Sequence, residues 1–290
     1  MKRSYFLIFL SIIILIFIPL LTGISKPYKS SQTFEVMGTR LTITIKSSHP
    51  EDDIKVAYER VKQIEKLVNR FDPNSEISKI NYFSTKNFKT GTQIKISKDT
   101  YNCIELASKT SDLTYGAFDI TLRGDYKKIV LNPEKSTITI TKPGVTLNLD
   151  GKAKGYAVEE ARKLLSNRGI KDGIIDTGSS IAVFNVPKKI GVRDPFKRDG
   201  IIKIITLNSW EALSTSGIYE QGLHIIDPKN GKRVNEIAGV TLIGKNAGIL
   251  DGISTGICVM GARKGIEFAK KMDFPIIIIT KNKEILRYKL

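Results

Sequence analysis

Along residues 33–46 hydrophobic and polar positions alternate, with Leu41, Ile43 and Ile45 on one face, and this period predicts a strand. Over residues 51–71 the period lengthens. Ile54, Ala57, Tyr58, Val61, Ile64, Leu67 and Val68 recur at helical spacing behind acidic residues that suit a helix N-terminus. Asp72-Pro73-Asn74 stops that helix, because a residue before proline avoids the helical region. Ser97 is placed as the N-cap of a second helix that carries Tyr101, Ile104, Leu106 and Ala107. Residues 137–140 and 145–149 alternate like paired strands around Lys142-Pro143-Gly144. A helix follows over residues 153–167 and ends at Gly169, then strands at residues 173–176, 181–185 and 201–207. Residues 246–260 and 261–272 predict two helices broken near Gly261, and residues 275–280 and 284–288 close the chain as strands. Helices and strands mix without strict βαβ alternation, which predicts an α+β fold.

The N-terminus has a different pattern. Lys2 and Arg3 precede an apolar run over residues 5–21, interrupted only by Ser11 and Pro19. A basic flank before such a run marks a secretory signal or a membrane anchor, and the run is near the length that spans a bilayer. No small-x-small cleavage site stands out in Leu21-Thr22-Gly23-Ile24-Ser25, and no cysteine follows, which excludes lipoprotein processing. The expectation is an uncleaved anchor (residues 1–27) with the catalytic body (residues 28–290) outside the cytoplasm; a cleaved signal is the alternative. Residues 26–32 read as a polar linker.

Composition then narrows the function classes. The 290 residues are 41% hydrophobic and 26% charged, values of a folded globular chain and not of a disordered one. Cys103 and Cys258 give no disulfide framework or metal spacing, and His49 and His224 lie too far apart in sequence to suggest a histidine-rich zinc site. A net charge of +17 first suggests nucleic acid or an anionic membrane as partner. Removing Lys2, Arg3 and Lys26 with the anchor leaves most of that charge on the body. No nucleic-acid motif accompanies it, and an exported body rarely meets DNA, so nucleic acid is not expected as a partner.

Four clusters carry candidate chemistry. Asp251 is a lone carboxylate in the apolar or small-residue run 247–260, and a helix there would put Asp251 and Thr255 on one face. A buried carboxylate needs a cation or several donors. Carboxylate and hydroxyl oxygens suit Mg²⁺, while a carboxylate bonded to local backbone is the plainer reading. Asp150-Gly151-Lys152-Ala153-Lys154-Gly155 follows a strand and opens a helix, where glycines, a helix N-terminus and Lys154 favour phosphate; the alternative is a glycine turn with solvated lysines. Ser214-Thr215-Ser216-Gly217 could hold phosphate, and His224 could act as a general base or be a satisfied histidine beside a turn. Gly116-Ala117-Phe118-Asp119 reads as a ligand loop or a tight turn capped by Asp119.

In this order the clusters resemble the ApbE-type family of FAD:protein FMN transferases from about Thr33 to the C-terminus. The matching pieces are Met37-Gly38-Thr39, the run Asp72-Pro73-Asn74-Ser75-Glu76-Ile77-Ser78, and Gly116-Ala117-Phe118-Asp119. Ala153-Lys154-Gly155-Tyr156-Ala157, Gly191-Val192-Arg193-Asp194-Pro195 and Thr215-Ser216-Gly217 with Tyr219-Glu220 follow. His224-Ile225-Ile226-Asp227-Pro228 and Asp251 with Ser254-Thr255 complete the set. The resemblance implies a T-fold-related α+β domain that binds flavin and cleaves the FAD pyrophosphate with Mg²⁺. FMN is then joined through its phosphate to a Ser or Thr hydroxyl of a partner redox protein, and AMP is released. It places the metal on the Asp251 carboxylate, the Thr255 hydroxyl and the Gly151 carbonyl. Met37, Glu76, Asp119, Lys154, Thr215, Ser216 and Gly217 map around the dinucleotide, and His224 with Asp251 maps to the chemistry.

Two departures accompany the match. Gly178-Ser179-Ser180 stands where the family commonly has Gly-Gly-Asp, and Asp150 and Lys152 add charge beside the metal loop. An FAD pyrophosphatase giving FMN and AMP, and a non-catalytic flavin-binding protein, are the competing functions.

Overall fold

In the computed structural model, residues 26–197, 199–217 and 225–290 are described. Strands β1 (Tyr28–Val36) and β2 (Thr39–Ser47) form a hairpin that opens an eight-stranded antiparallel sheet. The sheet continues through β6 (Asp172–Asp176), β7 (Ser180–Val183), β10 (Ala212–Gly217), β11 (Ile237–Gly244), β12 (Ile276–Thr280) and β13 (Ile285–Tyr288). Helices α1 (Pro50–Val68), α4 (Ala153–Asn167) and α5 (Ala247–Met260) pack against it, with α2 (Glu76–Lys86), α3 (Lys98–Leu113) and α6 (Ala262–Lys271) around them. A small sheet orders β3 (Ile94–Lys95), β5 (Thr137–Ile140) and β4 (Ile129–Asn132), and β8 (Lys188–Arg193) pairs with β9 (Ile201–Leu207).

The central strands of the sheet are buried on both faces, and strand alternation keeps two cores separate. Leu41, Ile43, Ile175, Ala182, Ala212, Leu242 and Ile278 point to the helices. Ile181, Val183, Leu213, Ile243, Ile277 and Ile279 point the other way, where Ile190, Val192, Ile205 and Leu207 of the β8–β9 hairpin cover them. Double-sided burial explains why β12 reads as four consecutive isoleucines with no alternation.

Several predicted elements need correction. Residues 33–46 form two strands, not one, because Met37 and Gly38 both take positive φ (55° and 67°) and make a two-residue hairpin turn. The expected linker at residues 26–32 enters the sheet at Tyr28. Residues 145–149 are no strand: Val145, Leu147 and Leu149 are buried, but Leu147 bonds the Asn81 side chain and Asn148 N–H donates to the Ile120 carbonyl. Alternation there reports one-sided burial, not pairing. Helix α2, capped by the Ser75 hydroxyl on Ser78 N–H at 3.0 Å, has no counterpart among the predicted elements. The helices at Ser97, residues 153–167 and residues 246–272 form as expected, and so do the last two strands.

Among the described residues no helix is long and apolar enough to cross a membrane, and the apolar run 5–21 lies outside them.

Candidate functional site

One end of the sheet opens into a cavity of about 730 Å³, within the usual range for pockets that take cofactors and small ligands. Its wall draws on distant segments: the Met37-Gly38 turn, the end of α1, the Phe118-Asp119 loop, the start of α4, the end of β10 and the second turn of α5. The fold therefore brings together Met37, Asp119, Gly151, Lys154, Thr215, Ser216, Gly217, Asp251 and Thr255. Met37 sits in the left-handed region that L-residues avoid at a cost of about 1 kcal/mol, held there by its N–H donating to Glu65 Oε1.

Asp251 is 3% exposed on α5. Its Oδ2 accepts the Gly155 N–H of the neighbouring helix α4 at 2.8 Å, so it caps a helix to which it does not belong. Gly155 makes this possible, since a Cβ there would lie 2.4 Å from the Ala247 carbonyl oxygen. Among the described residues the other oxygen, Oδ1, meets only the Ser214 hydroxyl, at the long distance of 3.5 Å. Around it hydroxyls gather: Ser216 lies 2.7 Å from Ser254 and 3.2 Å from Thr255, and both Ser254 and Thr255 donate back to the Asp251 carbonyl. Gly151 abuts the Thr255 hydroxyl, which a Cβ at Gly151 would approach to 3.4 Å.

Among the described residues no group of three or more His, Cys, Asp or Glu side chains could hold a metal. A cation held at Asp251 would depend on that one carboxylate and the neutral oxygens around it. That all-oxygen set suits Mg²⁺, which keeps several waters and shares phosphate oxygens with its substrate. The half-satisfied Oδ1 is the atom such an ion would complete.

Other expected residues are placed differently. Glu76 does not line the cavity: its carboxylate accepts from Ser97 N–H at 3.0 Å and Ser97 hydroxyl at 2.9 Å, tying α2 to the start of α3. Glu76→Ala is therefore expected to cost about 1–2 kcal/mol of stability by thermal unfolding and to leave ligand affinity at the cavity unchanged. Asp119 does reach the cavity, yet its carboxylate is occupied by Thr121 N–H and hydroxyl and by Tyr126 N–H, so it shapes the loop. His224, with Tyr219 and Glu220, lies outside the described residues.

The mouth carries residues that sequence patterns did not single out. Arg70 pairs with Asp150 at 2.9 Å and lies 4.0 Å above the Phe71 ring, which is 73% exposed. A large apolar side chain just before a helix stop was the available signal. Asn148 lines the wall without any sequence hint, and Ser179, which departs from the family's Gly-Gly-Asp, lines it too.

Lys152 is the largest unexpected feature. It is completely buried, donates to the Thr110 hydroxyl at 2.7 Å and sits 5.8 Å from the Phe118 ring. Gly252 leaves it room, since a Cβ there would come within 3.3 Å of Nζ. Burial pushes its ammonium down to about 8, against an attraction to Asp251. Between pH about 8 and the ordinary lysine value of about 10.4 the unfolded chain binds more protons than the folded one, so stability rises with pH in that window. The rise, on the order of a few kcal/mol, should vanish in Lys152→Met; equal denaturation curves for both proteins across that window would contradict it. Burial also pushes the Cys103 and Cys258 thiols up to about 12, which makes both inert at neutral pH.

The profile of the ApbE family matches residues 37–124 and 122–278, which include every described segment of this wall. The chain belongs to the ApbE family. An FAD:protein FMN transferase of Buchnera aphidicola is 25% identical over 328 aligned positions, covering 96% of this chain and 95% of that protein. A Rhodobacter capsulatus protein of the same description is 31% identical over 169 residues, a match to 54% of this chain and 32% of that longer protein. The crystal structure of the Thermotoga maritima ApbE protein superposes with a TM-score of 0.80 at 26% identity, over 90% of this chain and 97% of that one. The mixed α/β ApbE fold expected from the motifs is thus present. Of the individual site residues that the resemblance implies, all but Glu76, and His224 outside the described residues, line one cavity, while the motif at residues 191–195 lies away from it.

Proposed function

We propose that this chain is an FAD:protein FMN transferase. The observation that carries the reading is Asp251: one buried carboxylate, half satisfied, in a ring of hydroxyls on a cofactor-sized cavity. Its family membership and the transferases it aligns with support the same reading.

In the proposed reaction an acceptor Ser or Thr oxygen attacks the FMN-side phosphorus of FAD. The bond from that phosphorus to the bridging oxygen breaks, AMP leaves, and the hydroxyl proton passes to a base. Asp251, Thr255 and the Gly151 carbonyl would hold Mg²⁺, which supplies charge neutralisation on the pyrophosphate. Lys154 and the N-terminus of α4 face the phosphates, and Thr215, Ser216 and Gly217 line their other side. Met37 and Asp119 shape the turn and loop against which the dinucleotide lies. His224 is the proposed base.

The apolar N-terminal run and the basic flank before it support a single membrane anchor, with the body on the extracytoplasmic side and a flavoprotein as acceptor. Metal removal tests the site: with FAD, Mg²⁺ and an acceptor protein carrying a Ser/Thr flavinylation motif the chain should release AMP, and EDTA should stop it until Mg²⁺ is restored. AMP release unaffected by EDTA would remove the metal from the reaction.

A further inference from the structure

The sheet has a second end, and its residues sit on one line across the strands. Tyr28 pairs with Ser47, Lys29 with Lys46, and Lys46 with Asp172. Phe184 N–H donates to the Gly173 carbonyl, Asn185 N–H to Lys171, and Trp210 N–H to Phe184. The cavity lies at the opposite end, where β1 finishes at Val36 and Met37 turns the chain.

Trp210 is the only tryptophan of the chain. It has φ 59° in the tight turn between β9 and β10, a left-handed position that favours glycine or asparagine. Its ring rests tilted on Phe184 at 5.9 Å and remains 37% exposed. Val186 and Tyr28 are 40% and 48% exposed on the same rim. Exposed Lys29, Lys46 and Lys171 stand among them. The acids of this end are mostly engaged: Asp53 with Arg168, Asp172 with Lys188, Glu211 with Lys245, and Glu51 with the Tyr28 hydroxyl. Asp52 is the exposed acid beside them. A half-buried tryptophan and a tyrosine ringed by lysines is the composition of a membrane–water interface facing anionic headgroups.

Chain length supplies the second argument. Six residues separate Leu21, the end of the apolar run, from Tyr28, and they span at most about 20 Å. β1 then carries the chain through nine residues, about 30 Å, to the cavity. We propose that the Trp210–Tyr28 end of the sheet rests on the bilayer surface, leaving the cavity mouth about 30 Å out in the aqueous phase, where a protein acceptor reaches it. This rests on the anchor reading above.

The test uses the full flavin-free chain reconstituted in phosphatidylcholine–phosphatidylglycerol vesicles with bromine on the upper acyl chain. Trp210 emission should fall at least two-fold relative to unbrominated vesicles. In the double variant Trp210→Phe/Phe71→Trp the reporter moves to the cavity mouth and should be unquenched. A chain that floats with vesicles while Trp210 stays unquenched, or while the relocated reporter of the double variant is quenched, overturns the orientation and leaves the anchor standing. A chain that does not float overturns the anchor, and the orientation with it.

Discussion

Replacing Asp251 by asparagine should reduce FMN transfer by roughly 10³-fold or more, about 4 kcal/mol of transition-state stabilisation, in a protein that still folds. The two roles of this residue separate in that variant. An amide oxygen can still accept the Gly155 N–H now held at 2.8 Å, so the cap on α4 is kept at a cost of about 1 kcal/mol. What is lost is the charge, and with it the one carboxylate that the cavity hydroxyls surround. Asp251→Ala should lose the same activity and more stability, because it also leaves the Gly155 N–H buried and unpaired. Circular dichroism with steady-state AMP release checks both. An Asp251→Asn protein with wild-type turnover would mean that Asp251 only caps a helix.

The largest structural effect is expected at Gly155. An added methyl would sit 2.4 Å from the Ala247 carbonyl oxygen and 2.6 Å from Asp251 Cβ, contacts that only backbone movement relieves. Neither obstacle is the tip of a flexible side chain. Gly155→Ala must push α4 and α5 apart, and overpacking of this kind costs about 3 kcal/mol. In a chain of this length that lowers the melting temperature by roughly 6–12 °C. Activity should fall with it, since parting the helices moves Asp251 away from Gly151 and Lys154. A Gly155→Ala protein with unchanged melting temperature and turnover would show that the two helices are not locked together.

The site was legible in sequence where a residue violated its surroundings. Asp251 in a run of apolar and small residues stands out because burying a carboxylate is costly, and the fold places it on the cavity. Its partners were not legible: Gly155 lies 96 positions upstream, and Ser214 and Ser216 come from a strand across the sheet. Nothing local in sequence encodes such meetings. The hairpin at Met37 stayed hidden for a related reason. Its turn lacks the Asn-Gly signal, and a methionine adopts φ 55° only because the Glu65 carboxylate of α1 holds its N–H. Glu76 shows the opposite error, where a motif match suggested ligand contact and the carboxylate instead joins two helices. Lys152 reads in sequence only as an added charge near Asp150, and its complete burial beside Gly252, a hundred residues later, has no local signal. Bulk charge said least, since lysines spread over the whole surface cannot indicate which one meets a phosphate.

The measurement that reaches the central claim is intact-protein mass spectrometry of a redox protein carrying a Ser/Thr flavinylation motif, after incubation with this chain, FAD and Mg²⁺. One covalently attached FMN per acceptor, formed together with one AMP and absent with Asp251→Asn or EDTA, is the expected result. Free FMN and AMP with an unmodified acceptor would make the chain a pyrophosphatase and contradict the transferase account.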